Sequence, residues 1–264
     1  MRRALALAAA LLLFAGTASA QTPPKIGVVF MHGKQGGALE PQLEGMSAAL
    51  RAAGYLVDMP EMCWSGTRIY DKPFLDCLAD ADAAASRLKA QGATSIVIMG
   101  HSLGGMAAIA YGARRDGLKA VVALAPGPDN KFLLMKQPQV AASLMQAQQL
   151  VAQGKGDVPA SFTDFNTNRF GSQPFQVHTT ANIFVSFLSA DGPAEIETNV
   201  RQVKAPLLIV SGTRDPSQGG AAMLFAQAPP NPLSKRAVVD ADHMGTPQAA
   251  IDTVIGWLAA LGSR

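Results

Sequence analysis

Only two cysteines, Cys63 and Cys77, and four histidines occur in 264 residues. Two thiols and four widely scattered imidazoles offer no zinc-type ligand spacing, so no metal site is expected. Charge is also scarce: 16% of residues are charged and the formal net charge is +3. With no basic stripe, that balance argues against nucleic acid as a partner. No Gly-rich phosphate loop or flavin fingerprint is present, so no cofactor is expected. Beyond residue 20 no apolar run approaches the roughly 20 residues that a membrane span needs, and no stable membrane insertion is expected there. What remains is a chain that is 48% hydrophobic, the size of one enzyme domain or of a domain carrying an inserted cap.

The N-terminus has its own pattern. Met1-Arg2-Arg3 precedes an apolar run from Ala4 to Ala15, followed by Gly16-Thr17-Ala18-Ser19-Ala20. A basic start, a short apolar stretch and an Ala-x-Ala site are the parts of a secretory signal peptide, expected over residues 1–20. Cleavage there removes Arg2 and Arg3 and lowers the net charge to +1. The expected location is then periplasmic or extracellular, a compartment where disulfides persist, and Cys63 and Cys77 are expected to pair.

Continuous apolar runs at Ile26 to Met31, Ser95 to Met99, Ala120 to Ala125 and Pro206 to Ser211 fit strands buried on both faces. Shorter strands are expected at Tyr55 to Met59 and Lys235 to Val239. Helical spacing covers about Glu40 to Ala53, closed by Gly54, and Asp71 to Gln91, closed by Gly92. Further helices follow Ser102 and Gly219, and a last one runs from about Pro247 to Leu261. This alternation implies an α/β fold, a doubly wound and mostly parallel sheet of about six strands. It breaks between residues 129 and 203, where a helical stretch at Phe132 to Gln153, a polar and aromatic segment to Phe175 and a helix near Thr179 to Leu188 are expected. The reading is a core of residues 21–128 and 204–264 with a mainly helical cap inserted at 129–203.

Gly100-His101-Ser102-Leu103-Gly104 matches G-x-S-x-G and lies between a buried strand and a helix, where a nucleophilic serine needs to be. A turn of this kind exposes the Ser102 hydroxyl, and the helix behind it offers backbone N–H groups to a developing oxyanion. The base follows by elimination. His32 precedes a glycine and is read as bracing a loop; His101 adjoins Ser102 and points away; His178 falls in the cap. His243 follows the last strand, at the carboxyl edge where parallel sheets place their sites. Asp215, in the turn leaving the strand that ends at Ser211, is the acid expected to orient it. Asp129, after the preceding strand, is the rival, whereas Asp240 and Asp242 sit too near His243 in sequence.

The order Ser102, Asp215, His243, together with His32-Gly33, Gly100 to Gly105, Gly212 to Asp215 and Asp242-His243, resembles the α/β-hydrolase superfamily, serine esterase and lipase branch, over residues 25–262. The resemblance implies a trimmed form of that fold without its first two strands. It also implies an oxyanion hole formed by the N–H groups of Lys34 and Leu103. Gly33-Lys34-Gln35-Gly36-Gly37 stands where one esterase branch has His-Gly-Gly-Gly. Relatives that open carbon–halogen bonds or epoxides use a carboxylate nucleophile and dienelactone-type relatives a cysteine; position 102 is serine.

A serine with a general base and two N–H donors performs acyl transfer, and hydrolysis of a small-molecule carboxylic ester is the expected outcome. An acyltransferase or an amidase would share the same residues, and a non-catalytic binding protein on this fold is the alternative from another class. In the cap, Phe132, Leu133, Leu134, Met135, Leu144, Met145, Phe184, Phe187 and Leu188 are candidates either for an apolar pocket or for the cap's own core.

Overall fold

A computed structural model describes residues 25–37, 39–168 and 171–262. The expected signal peptide, residues 1–20, lies outside the described residues. The central sheet has six strands in the order β2-β1-β3-β4-β7-β8, every adjacent pair parallel. They are β1 (Lys25–Met31), β2 (Leu56–Asp58), β3 (Ala93–His101), β4 (Ala120–Leu124), β7 (Leu207–Gly212) and β8 (Lys235–Val239). A parallel pair needs a crossover, and helices supply one on each face.

Alternation along the strands divides the core in two. Val29, Met31, Ile98, Val121, Ala123 and Ile209 face one cluster, which includes residues of α2 (Phe74–Ala90) and α3 (Leu103–Gly112). Val28, Phe30, Val97, Met99, Val122 and Val210 face the other, closed by Leu43, Met46 and Leu50 of α1 (Pro41–Ala52) and by Val254 and Leu258 of α10 (Ile251–Gly262). Both faces are dry, which is why β1, β3, β4 and β7 read as unbroken apolar runs. Each large aliphatic side chain so buried contributes roughly 1.5–3 kcal/mol.

Between β4 and β7 the chain forms α4 (Asn130–Lys136), α5 (Pro138–Ala152), β5 (Pro159–Asn168), β6 (Gly171–Thr180), α6 (Ala181–Leu188) and α7 (Ile196–Val200). The single helix expected at 132–153 is two. Pro138 starts α5, and Gln137 before it takes φ −125° and ψ 81°, an extended backbone that proline imposes on its predecessor. The polar and aromatic segment is an antiparallel hairpin, with Pro159 paired to Thr180 and Asn168 to Gly171. On β5 the inward positions are Phe162, Asp164 and Asn166, all buried. Two polar residues in the inward series hide the period-2 signal that marks a strand.

At the other end of the sheet, α8 (Gln218–Gln227) follows β7 as expected. The C-terminal helix begins with a short turn, α9 (Thr246–Ala249), ahead of α10. Cys63 and Cys77 form a disulfide with Cα atoms 5.5 Å apart, tying the loop after β2 to the first turn of α2. Among the described residues no helix is long and apolar enough to cross a membrane.

Candidate active site

Ser102 sits at the junction of β3 and α3 with φ 57° and ψ −120°, backbone that an L-residue adopts only under constraint. The constraint comes from close packing of the turn. A Cβ at Gly100 would lie 2.0 Å from the Gly104 carbonyl oxygen, and one at Gly104 would lie 2.4 Å from the Met31 carbonyl oxygen. Only glycine at both positions lets β3, α3 and β1 meet this closely. The Ser102 N–H donates to the Leu124 carbonyl (3.0 Å), and its own carbonyl accepts from Gly105 and Met106 in the first turn of α3.

His243 reaches this hydroxyl from the loop after β8. Its Nε2 is 3.0 Å from Ser102 Oγ and its Nδ1 is 2.8 Å from Asp215 Oδ2. The pattern fixes the tautomer: Nδ1–H donates to the carboxylate, and Nε2 accepts from the serine. Asp215 Oδ1 accepts from the Ser217 N–H (2.9 Å) and from Ser217 Oγ (2.7 Å). Burial works to raise the Asp215 carboxyl, but the His243 and Ser217 hydrogen bonds outweigh it and hold the group below its ordinary value. The structure therefore brings together Ser102, Asp215 and His243. It does not bring Asp129 to the ring: that carboxylate caps α4 by accepting from the Phe132 N–H at 2.8 Å. Asp240 accepts from Thr213 and Arg214, and Asp242 accepts from the Gly245 N–H.

The remaining histidines are engaged elsewhere. His32 donates from Nδ1 to the Gly33 carbonyl (2.8 Å) and accepts at Nε2 from the Met62 N–H (3.0 Å), so it braces the loop after β1. His101 donates from Nε2 to the His243 carbonyl at 2.9 Å and so helps to seat the residue whose ring meets Ser102. Burial and the nearby His243 lower the His101 imidazole to about 3, keeping it neutral. His178 lies on β6, with Nδ1 2.8 Å from Ser161 Oγ on the exposed side of the hairpin.

Lys34 and Leu103 flank Ser102, one in the loop after β1 and the other at the start of α3; both line the cavity beside it. That loop is held from two sides. The Gln35 N–H donates to the Trp64 carbonyl (2.9 Å), and Trp64 Nε1 donates to the His32 carbonyl (2.9 Å), so the disulfide-linked loop supports it from below. From the hairpin, Asp164 Oδ2 accepts from Lys34 Nζ (2.7 Å) and from Tyr70 OH (2.6 Å), and Asn166 Nδ2 donates to the Lys34 carbonyl (3.1 Å). Tyr70 stacks on Phe187 with ring centroids 4.0 Å apart. Burial and the Asp164 charge raise the Tyr70 hydroxyl well above its ordinary value, so it stays a donor. Sequence reasoning missed Tyr70, Asp164 and Asn166. No local pattern marks them: Asp164 and Asn166 interrupt the apolar alternation of β5, and Tyr70 lies in a loop far from both in sequence.

Two chambers open on Ser102. One, of about 370 Å³, is lined chiefly by apolar side chains, among them Tyr70, Leu103, Met106, Phe132, Phe187 and Leu188. The other, of about 420 Å³, is lined by polar groups including Gln35, Glu40, Asn166 and Gln173. The insert's apolar candidates thus divide by role. Phe132, Leu133, Phe187 and Leu188 line the first chamber, Phe184 stacks on Phe162, Leu144 is buried in the same core cluster with Leu134 packed against it, and Met135 and Met145 are exposed. Among the described residues no group of three or more His, Cys, Asp or Glu side chains is placed to hold a metal.

The sequence profile of the alpha/beta hydrolase family matches residues 28–255. No curated protein matches the chain. Among solved structures, Est1E from Butyrivibrio proteoclasticus with ferulic acid bound superposes with a TM-score of 0.64 at 17% identity, covering 92% of each chain. A structure of the metagenome-derived lipolytic enzymes LipS and LipT gives 0.62 at 19% identity, over 92% of this chain and 95% of that one. The monoacylglycerol lipase of Paleococcus ferrophilus gives 0.61 at 19% identity, over 89% and 94%. At such identities the likeness is one of fold.

Proposed function

The chain belongs to the alpha/beta hydrolase family, and from that premise we propose that it is an exported serine hydrolase cleaving carboxylic esters through an acyl-enzyme on Ser102. The observation that carries this reading is the hydrogen-bonded series Ser102 Oγ, His243 Nε2, His243 Nδ1, Asp215 Oδ2, with links of 3.0 and 2.8 Å. In the proposed reaction Ser102 Oγ attacks the ester carbonyl while its proton passes to His243 Nε2. Asp215 stabilises the imidazolium and holds its tautomer. The tetrahedral oxyanion is received by the N–H groups of Leu103 and Lys34. His243 then protonates the departing alcohol, and water, deprotonated by the same nitrogen, releases the acid.

Supporting the oxyanion assignment, no acceptor among the described residues engages the N–H of Lys34 or of Leu103. Leu103 is the first residue of α3, where N–H groups have no partner within the helix and the helix dipole favours negative charge. Export is supported by the signal-like residues 1–20 and by the Cys63–Cys77 disulfide. We assign residues 21–128 and 204–264 to the catalytic core and 129–203 to a cap that walls the apolar chamber. Esterases and lipases among the solved structures of similar fold favour an ester over an amide, and His178, the one candidate for an extra proton donor, lies outside both chambers. The test is a series of p-nitrophenyl esters of rising chain length, run on wild type and Ser102→Ala. Turnover confined to the wild type is expected; equal turnover in both would overturn the assignment.

A further inference from the structure

Among the described residues, five other than glycine adopt positive φ: Gln35 (56°), Ile69 (35°), Tyr70 (59°), Ser102 (57°) and Ala125 (41°). Backbone of this kind persists only where the surroundings hold it, and it gathers at sites where position matters. Ser102 is the nucleophile of the reading above, and Gln35 follows Lys34, the second donor proposed for the oxyanion. Ile69 and Tyr70 lie elsewhere, in the strap between β2 and α2, where residues 59–73 form neither strand nor helix. A strap without regular structure takes its shape from its ends and its contacts. The Cys63–Cys77 bridge fixes it to the first turn of α2. Within the loop so closed, the Tyr70 N–H donates to the Cys63 carbonyl at 2.8 Å. The strap in turn grips the oxyanion loop. Four hydrogen bonds join residues 62–66 to residues 32–36: Met62 N–H to His32 Nε2 (3.0 Å), Trp64 Nε1 to the His32 carbonyl (2.9 Å), Gln35 N–H to the Trp64 carbonyl (2.9 Å) and Gly66 N–H to the Gly36 carbonyl (2.9 Å). They bracket Lys34 from both sides. A Cβ at Gly33 would lie 3.2 Å from Ser102 Cβ, so the peptide unit joining Gly33 to Lys34 runs against the nucleophile. The strap also reaches Lys34 by a second route, because Tyr70 OH donates to Asp164 Oδ2, which accepts from Lys34 Nζ.

We propose that the Cys63–Cys77 bridge, acting through Trp64 and Tyr70, is a positioning element for the reaction: it keeps the strap in the shape that sets the Lys34 N–H beside Ser102. The inference rests on the serine hydrolase reading above and gives the bridge a part in transition-state stabilisation, beyond its contribution to folding. The triad is aligned independently of the strap. Ser102, Asp215 and His243 come from the turns after β3, β7 and β8, and the hydrogen bonds that align their side chains run among themselves and to Ser217. Opening the bridge therefore leaves nucleophile and base in place. It frees Ile69 and Tyr70 to relax from left-handed backbone, and Trp64 and Asp164 then lose their hold on the oxyanion loop. A displaced oxyanion donor is missed in the transition state and not by the bound ester, so the loss falls on kcat.

The experiment measures kcat and KM for p-nitrophenyl butyrate, and Ki for butylboronic acid, on purified wild type, on Cys63→Ser with Cys77→Ser, and on Trp64→Phe, each at a temperature where circular dichroism shows it folded. A boronic acid adds the serine oxygen to give a tetrahedral adduct with an oxygen in the oxyanion position, so its Ki reads that position directly. Removing an oxyanion donor outright costs about 10²–10³ in kcat, and displacing one by opening the bridge is expected to cost at least about tenfold, with KM changed by less than about threefold and Ki raised at least about fivefold. Trp64→Phe keeps a ring against Phe74 and removes the indole donor to the His32 carbonyl. It is expected to show the same split, severalfold in size, and decides the matter if the double-serine variant does not fold. A folded double variant with kcat within about threefold of wild type, a loss shared equally between kcat and KM, an unchanged boronate Ki, or a Trp64→Phe variant indistinguishable from wild type would overturn the inference. If wild type hydrolyses the ester and Ser102 is labelled by a fluorophosphonate while the variants keep wild-type kcat, only the positioning role falls. If wild type turns over no ester and takes up no label, the hydrolase reading falls and the inference with it.

Discussion

Replacing Asp164 by alanine tests whether the β5–β6 hairpin holds the loop that carries Lys34. Asp164 is fully buried and Lys34 is 12% exposed. The carboxylate accepts from Lys34 Nζ, from Tyr70 OH and from the Phe165 N–H. Alanine leaves an ammonium and a phenol facing a cavity. Breaking a buried ion pair from one side costs about 3–5 kcal/mol, since the surviving charge loses its compensation. For a chain of this size each kcal/mol shifts Tm by about 2–4 °C, so a fall of at least about 6 °C is expected in a thermal melt. Lys34→Met removes the charge from the other side and leaves Asp164 with its tyrosine and amide donors. The double variant should therefore lose less than the sum of the singles, by about 0.5–3 kcal/mol. On ester substrates Asp164→Ala should lower kcat more than it raises KM if the displaced Lys34 N–H is the proposed oxyanion donor. A melt unchanged within 1 °C, or strictly additive singles, would refute the clamp.

Three further outcomes follow from the same geometry. Asp215→Asn should lower kcat by at least roughly two orders of magnitude as tautomer control is lost, whereas Asp129→Asn, which only weakens the cap of α4, should leave kcat within about threefold; the reverse ranking would move the acid. Thiol titration of the denatured, unreduced protein should find no free thiol. Cys63→Ser with Cys77→Ser should lower Tm by the equivalent of roughly 3 kcal/mol, the chain-entropy value for a loop of about 15 residues, and two titratable thiols would rule the bridge out. Burial raises the Glu40 carboxyl to about 7 from its ordinary value of 4.5. The folded state then holds a proton that the unfolded state releases, so stability falls as pH rises from 4.5 to 7 and levels off above. Glu40→Gln should remove that slope from a plot of Tm against pH, and an unchanged slope would contradict the assignment.

Much of this structure is legible in the residues, for reasons that also explain what is not. The inner strands are buried on both faces, so β1, β3, β4 and β7 are nearly uninterrupted apolar runs whose order and spacing define a parallel sheet. Ser102 stands in a five-residue turn that has few alternative uses, and His243 emerged by elimination among four histidines. Asp215 is the acid the sequence favours, with Asp129 its rival because both follow strands at the same edge; the loop path decides which carboxylate meets the ring, and it is Asp215 that does. The β5–β6 hairpin was hidden by Asp164 and Asn166, polar residues turned inward because their partners, Lys34 and Tyr70, come from loops about 95 to 130 positions earlier in the chain. Glu40 carried no signal at all. Its burial comes from the fold of Gly36 against it, which no local pattern announces.

The most direct test of the proposed mechanism is intact-mass measurement after treating purified protein with a fluorophosphonate, followed by peptide mapping. The account predicts one adduct per chain, located on Ser102, with ester hydrolysis lost in proportion to labelling. It also predicts that Ser102→Ala takes up no label and loses at least about 10⁴-fold in kcat. An active protein that takes up no label, a label on another residue, or a Ser102→Ala variant retaining more than about a tenth of wild-type turnover would contradict it.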